Sequence, residues 1–271
     1  MSPAGRVPAV DVAIISWNTS RAALSASAAF IASEDVEARV TLHDNFSNPA
    51  EREILEREAG PDIDLVLAPR NSGYSRAANA ALARGDTPFV CVSNADTEPT
   101  PRMLAALAFT AAADPTAGMV GPVFTGGGNR HHARIPSAAV LTARLFAGRT
   151  GTRVPPLPRG SETLAVEQPS GACFLMRRDA WEAVGGFDEE FFLWYEDVDL
   201  ARRLLADGRR NLVVGAAVAH HQGGSSFRRL PPGRAQDIRL HSMQHYIDKH
   251  HPRLRGPSRP LVALARRLRV R

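Results

Sequence analysis

The chain has 271 residues and 44% hydrophobic content, enough for one large domain, or one and a half, with a sizeable core. No apolar run is long enough to span a bilayer and the N-terminal MSPAGRVPAV has no signal-peptide core, so neither a spanning nor an exported chain is expected. The net charge of +5 is modest but uneven, with arginine crowding the stretch from Arg228 onward; such a tail suits a membrane surface, a phosphorylated substrate or a nucleic acid.

In chain order, Val10 to Ser16 (VDVAIIS) reads as a buried strand, Thr19-Ser20 as an N-cap, and the following residues to about Ala32 as a helix. Ala38 to His43 is a second strand ending at Asp44-Asn45, Pro49 opens a charged helix stopping near Gly60, and Ile63 to Leu67 is a short third strand. The turn Arg70-Asn71-Ser72-Gly73-Tyr74 leads into an alanine-rich helix, Ser75 to Arg84. Phe89 to Ser93 is a fourth strand ending at Asn94-Ala95-Asp96, a helix starts at Pro101, and Gly118 to Phe124 is a fifth strand. Alternation of this kind predicts an α/β fold, a mostly parallel sheet with helices on both faces and ligands beyond the carboxyl ends of its strands.

From Thr125 to Glu167 the pattern breaks into loops with one short helix, about Ser137 to Phe146, which suits a lid or binding insertion. Cys173 to Met176 resumes as a strand, a short helical piece stops at Gly185-Gly186, and an acidic, aromatic loop feeds a helix that begins near Glu196. Asn211 to Ala219 is a late strand, about Arg234 to His250 a helix, and Pro260 to Arg271 a closing segment with Leu261, Leu264, Ala265 and Leu268 on one face. Cys91 and Cys173 sit in apolar runs and read as buried, reduced thiols of a cytosolic protein.

Several residues suit chemistry. Glu196, Asp197 and Asp199 occupy the first turn of their helix, where the dipole favours ionised carboxylates; a general base and an acidic turn that only stabilises its helix both fit. Asp96 is a strand-end carboxylate able to approach a divalent ion, or a turn aspartate capping the next helix. His220 and His221 precede a glycine-rich stretch and read as metal or phosphate contacts, or as a solvent-facing pair. Asp44 and Trp17 suit a nucleobase, or equally an Asx-turn and a core tryptophan. The Asn71 to Ser75 turn opens a helix whose amides suit an anion, but it lacks the Lys of a P-loop. Basic charge without aromatic–basic interleaving argues against a nucleic-acid partner.

Taken together, these stretches resemble an inverting family-2 glycosyltransferase of the rhamnosyltransferase-like branch, with a GT-A fold. The resemblance rests on Ser16-Trp17-Asn18, Asp44-Asn45-Phe46-Ser47, Asn71 to Asn79, Asn94-Ala95-Asp96-Thr97, Gly171-Ala172 with Arg177-Arg178, Gly185 to Glu189, Tyr195 to Leu200, and His220 with Gly223-Gly224-Ser225. It implies a GT-A domain over 1–226, with a nucleotide-binding half at about 8–124 and an acceptor and catalytic half at about 165–226, and a basic helical extension over 227–271. Asp197 matches the catalytic base and Glu196 its neighbour. Trp17, Asn18, Asp44, Asn71, Gly73, Asn79 and Asn94 match the donor side, and Gly171, Asp188, Glu189 and Trp194 the acceptor side. Asp96 and His220, with His221 as rival, match the ligands of a divalent cation (Mn or Mg), although Asn94 stands where the family has its first Asp. The partners implied are a nucleotide-sugar donor such as dTDP-rhamnose and a glycan or lipid-linked acceptor of the cell envelope. The implied location is cytoplasmic, peripheral on the inner face of the plasma membrane through residues 260–271. A soluble-metabolite acceptor and a non-catalytic subunit of the same fold are the alternatives.

Overall fold

In the computed structural model, which describes residues 7–126, 131–147, 156–223, 230–231 and 233–269, the alternating elements assemble one large sheet. The strands β1 (Ala9–Ser16), β2 (Glu37–Asp44), β3 (Ile63–Leu67) and β4 (Phe89–Asn94) pair in parallel in the order β3-β2-β1-β4. β1 is buried almost end to end, as a parallel strand covered on both faces must be. Three helices return the chain between these strands: α1 (Ser20–Ile31), α2 (Pro49–Glu58) and α3 (Tyr74–Leu82). α2 begins where its signals put it, with Pro49 in the first turn and Asn48 accepting the Glu51 N–H at 3.1 Å.

After β5 (Thr97–Pro99) and α4 (Met103–Ala113), the sheet continues with β6 (Ala117–Thr125). Two short strands, β7 (His132–Ala133) and β9 (Gln168–Pro169), pair with each other outside the main sheet, and α5 (Ala138–Ala147) and β8 (Thr163–Val166) lie between them in sequence. β10 (Cys173–Arg177) inserts antiparallel between β4 and β6, then α6 (Arg178–Ala183) and α7 (Glu196–Ala206) lead to β11 (Arg210–His221). β11 runs parallel to β6 and carries β5 and β8 antiparallel. The apolar side chains divide between the two faces. Ala23, Phe30, Leu104 and Leu107 of α1 and α4 share one cluster, whereas Ala78, Leu82, Trp181 and Leu204 of α3, α6 and α7 share the other.

The C-terminal helices α8 (Arg234–His250) and α9 (Arg255–Arg269) pack as a pair, with a single 3-10 turn, Pro252–Leu254, between them. Their apolar faces form a third cluster with Leu141 of α5 and with Phe191 and Tyr195 ahead of α7. Here the expectation for the last segment is corrected. α9 begins at Arg255, runs through Pro260, and buries Val262 and Ala265; Leu261 packs partly against them and Leu264 faces outward, 44% exposed. Side-chain spacing within the segment allowed either face; α8 and α5 select the one they cover. The Leu268 side chain lies outside the described residues.

Deleting Pro260 to Arg271 should therefore unfold part of the third cluster and lower stability by about 2–4 kcal/mol, the burial value of the lost aliphatic groups. Thermal melting checks this; an unchanged midpoint would mean that α9 contributes no core.

Candidate active site

The carboxyl ends of β1 and β4, the turn before α3 and the start of α7 open onto one cavity of about 950 Å³. It lies where open α/β sheets bind ligands. Trp17 leaves β1 into it, and Asn71 and Gly73 line it from the turn before α3. That turn is bound by Asn45, whose side-chain amide donates to Asn71 Oδ1 and to the Gly73 carbonyl, each at 3.1 Å, while its oxygen accepts the Ser72 N–H at 3.0 Å. Gly73 has φ 88°, and a Cβ there would meet the Phe192 carbonyl oxygen at 2.7 Å. Only glycine lets the turn approach the loop before α7 this closely. Asn45, named in sequence only as the residue after Asp44, is the cavity-facing member of that pair.

Three donor-side candidates stand behind the cavity lining. Asp44 is fully buried; its Oδ2 accepts the Ser47 N–H at 3.1 Å and Arg52 Nε at 2.9 Å, and its Oδ1 has no hydrogen-bond partner among the described residues. Asn18, with φ 55°, ties two loops together by accepting the Asn48 N–H at 2.8 Å and donating its own N–H to Ser47 Oγ at 2.7 Å. Asn79 clamps the Gly185-Gly186-Phe187 turn: its amide donates to the Phe187 carbonyl at 2.9 Å and its oxygen accepts the Phe187 N–H at 3.0 Å. Asn18 and Asn79 thus act on loop shape, a role that motif position alone does not separate from ligand contact.

At the end of β4 and just past it, Asn94 and Asp96 line the cavity together with His221. His221 Nε2 lies 3.1 Å from Asp96 Oδ1, and its ring packs at 5.6 Å from Phe124. His220, the residue first matched to the metal, points away: successive residues of β11 face opposite sides, so its exposed ring meets Thr125 Oγ1 at 3.5 Å. The site therefore pairs Asp96 with His221, not His220. Among the described residues no group of three or more His, Cys, Asp or Glu side chains gathers as a metal cage. One carboxylate and one imidazole nitrogen suit a divalent transition-metal ion that accepts both oxygen and nitrogen and completes its shell from phosphate oxygens and water.

The opposite wall comes from α7. Trp194 and Tyr195 immediately before it both take left-handed backbone, φ 66° and 69°, which is uncommon outside glycine. The sharp entry turns the first residues of the helix inward, so Glu196 and Asp197 line the cavity. Glu196 is buried, its Oε2 has no hydrogen-bond partner among the described residues, and burial together with the Asp197 charge pushes its carboxyl up to about 8. The expectation that the helix dipole keeps all three first-turn carboxylates ionised fails for Glu196, because desolvation outweighs the dipole. Burial also raises Asp197, but hydrogen bonds oppose it: the Val198 N–H donates to Oδ1 at 2.9 Å, the Gln168 side-chain amide to Oδ2 at 2.8 Å, and the Gly171 N–H joins them. The two carboxyls titrate as a coupled pair, and the donors on Asp197 favour placing the charge there over Glu196.

Of the acceptor-side candidates, Gly171 and Trp194 line the cavity, and Asp188 and Glu189 are not among its lining residues. Asp188 accepts from Lys249 Nζ at 2.6 Å and from His245 at 3.2 Å; burial opposes its ionisation, yet these groups and the Glu190 N–H bring it down to about 2. Glu189 pairs with Arg76 at 3.1 Å on the surface. Both residues brace neighbouring elements. The wall expected of them comes instead from α8, where Arg234, Asp237 and Ile238 line the cavity. Nothing in the sequence linked that late helix to the site.

The profile of glycosyltransferase-like family 2 matches residues 8–233 of the chain. The chain belongs to this family. Within it, the glycosyltransferase is 31% identical over 226 residues, 73% of its own length and 71% of the relative's, to an N-acetylglucosaminyl-diphospho-decaprenol L-rhamnosyltransferase of Mycobacterium tuberculosis. A shorter match, 32% over 107 residues, covers 33% of the chain and 8% of the O-antigen biosynthesis protein RfbC of Myxococcus xanthus. Solved structures share the GT-A fold. The mannosyltransferase PcManGT from Pyrobaculum calidifontis, in complex with GDP-Man and Mn2+, has TM-score 0.60 and 20% identity over 96% of this chain and 69% of that one. GalNAc-T7 with UDP, GalNAc and Mn2+ has TM-score 0.64 and 15% identity over 94% of this chain, which spans about half, 51%, of that structure. Among the described residues no helix of the glycosyltransferase is long and apolar enough to cross a membrane.

The Glu196 carboxyl gives the glycosyltransferase a stability signature. Its folded value of about 8 lies above the ordinary 4.5, so between those values the folded state binds more protons than the unfolded state, and stability falls as pH rises. Glu196→Gln removes this dependence. The variant should melt above wild type at pH 8.5, and the difference should shrink towards pH 5; a constant difference across that range would mean that Glu196 does not titrate as described.

Proposed function

We propose that this glycosyltransferase transfers rhamnose from dTDP-rhamnose to a hydroxyl of a lipid-linked glycan in cell-envelope polysaccharide synthesis, with inversion at the anomeric carbon and Asp197 as the general base. The observation that carries this reading is one cavity that holds both the Asp197 carboxyl, where three hydrogen-bond donors favour the ionised form against burial, and the Asp96–His221 pair. An inverting transfer is one in-line displacement. It needs a base for the acceptor hydroxyl proton and a charge-stabilised leaving group, and no enzyme nucleophile.

In this mechanism the acceptor oxygen attacks the anomeric carbon as its proton passes to Asp197, and the bond to the nucleoside diphosphate breaks. Glu196, protonated at neutral pH, keeps a second negative charge away from the base. Asp96 and His221 would hold a divalent cation, Mn or Mg, whose chemistry is to stabilise the charge that develops on the diphosphate. Trp17 would pack on the nucleobase, Asn71, Gly73 and Asn94 would shape the donor floor, and Asp44 would brace that floor from behind through Ser47 and Arg52. Gly171 and Trp194 would face the acceptor, with α8 as the far wall. In this scheme residues 8–124 serve the donor, 165–226 the acceptor, and 227–271 close the acceptor side. The choice of sugar and lipid-linked acceptor is supported by the mycobacterial rhamnosyltransferase relative. The arginines of α9 and exposed Leu264 suit peripheral contact with the anionic inner face of the plasma membrane.

A donor panel scored by nucleoside diphosphate release tests the substrate, and variants test the roles. Asp197→Asn should lower turnover by at least about 100-fold, the usual contribution of a general base, with donor affinity little changed. An Asp197→Asn protein that turns over normally would end the catalytic claim. Asp96→Ala and His221→Ala should each weaken metal-dependent donor binding, whereas His220→Ala should not; calorimetry with the nucleotide and manganese distinguishes them, and equal losses from both histidines would contradict the assignment.

A further inference from the structure

Between β8 and β10 the chain passes the base, and one side chain there has no part in the fold's core and none in the donor floor. Gln168 is 7% exposed, and its Nε2 donates to Asp197 Oδ2 at 2.8 Å. Its backbone is fixed from both sides. β9 pairs Gln168 with Ala133 of β7, the preceding Glu167 carbonyl accepts Asn211 Nδ2 at 2.9 Å, and the Ser170 N–H donates to the His131 carbonyl at 3.0 Å. His131 is held in turn, its Nδ1 accepting the Phe124 N–H at 2.8 Å. A few residues on, a Cβ at Gly171 would stand 2.6 Å from Asp197 Oδ2 and 2.9 Å from its Cγ, so the carboxylate occupies the space that a side chain at 171 would fill.

We propose that Gln168 is the positioning residue of the base, its amide and the bare Cα of Gly171 together seating the Asp197 carboxylate in one orientation at the cavity wall. The inference rests on the reading of Asp197 as base. The chemistry explains why an amide serves here. A lysine or arginine would neutralise Asp197 and weaken it as a proton acceptor, and a histidine would itself titrate. A glutamine donates a hydrogen bond without a counter-charge, which offsets part of the desolvation of the carboxylate and leaves its basicity in a useful range. A side chain held at one oxygen also loses the rotamer freedom that would spread the base over unproductive geometries.

The ionisable groups around Asp197 are Glu196 on its own helix, Tyr74 from α3 and Tyr195 before α7, with Asp96, His221, Arg234 and Asp237 elsewhere on the cavity wall. All are retained in Gln168→Leu, which keeps the volume and removes the donor. The test is carbon-13 NMR titration of the Asp197 carboxyl in the full chain without substrate, its signal assigned by its loss in Asp197→Asn. In Gln168→Leu the titration should move up by about 1–2 units, the value of one hydrogen bond to a charged group. The acid limb of turnover with dTDP-rhamnose should move the same way. At neutral pH turnover should fall about tenfold with the donor KM unchanged, and it should recover at alkaline pH. Gln168→Asn, one methylene too short to reach, should give the same shift and covers the case in which the leucine variant fails to fold. Gly171→Ala should lower turnover by displacing the carboxylate. An Asp197 titration that superimposes on wild type in both Gln168 variants would overturn the proposal. The base reading fails on a separate result, wild-type turnover by Asp197→Asn, which leaves the NMR comparison standing.

Discussion

Glu196 and Asp197 are consecutive residues at the start of a helix, the first buried and the second half-buried, and both line the cavity. Two such carboxylates do not both ionise cheaply, so the environment decides which one does. Gln168, Gly171 and the Val198 N–H all serve Asp197, and among the described residues the Oε2 of Glu196 receives no donor. Much of the surrounding architecture maintains this asymmetry. The left-handed pair Trp194-Tyr195 turns α7 inward, Phe192 is held against Gly73, and β10 carries Gly171 to the floor beside the end of β4, where the Asn94 N–H donates to the Ala172 carbonyl at 2.8 Å.

The motif residues that miss the cavity serve the same end from behind. Asp199, in the same first turn as Asp197, is fully buried and receives Arg203 Nε at 2.8 Å, Lys249 Nζ at 2.9 Å and His250 at 2.6 Å. Lys249 also reaches Asp188, so one ammonium ties α8 both to the glycine-rich turn and to α7. Buried charges of this kind hold position because losing either partner strands the other. They fix the C-terminal half of α8, and its N-terminal half then stands as a wall of the site.

The sequence reading was most legible where local rules suffice. Apolar runs located β1 to β4, and Pro49 and Gly185-Gly186 marked ends that the structure keeps. Direction and partnership were not legible. The run Cys173 to Met176 is apolar on both faces and reads the same whether parallel or antiparallel, so the insertion of β10 between β4 and β6 left no signal. In the site, the first turn of α7 and Asp96 stood out by residue type and place. The choice between His220 and His221 needed the strand's facing, and the roles of Asn18, Asn79 and Asp188 needed their partners. Gln168 and Arg234 could not be found beforehand, since a loop glutamine and a helix-start arginine acquire their meaning only from what folds against them.

The account's central claim is a single displacement driven by one base, and the stereochemistry of the product reports on it most directly. Proton NMR of the first-formed glycoside, taken before any equilibration, should show an anomeric configuration opposite to that of the sugar in the nucleotide donor. Retention of the donor's configuration would require two displacements or a different attacking face, and would contradict the role given to Asp197.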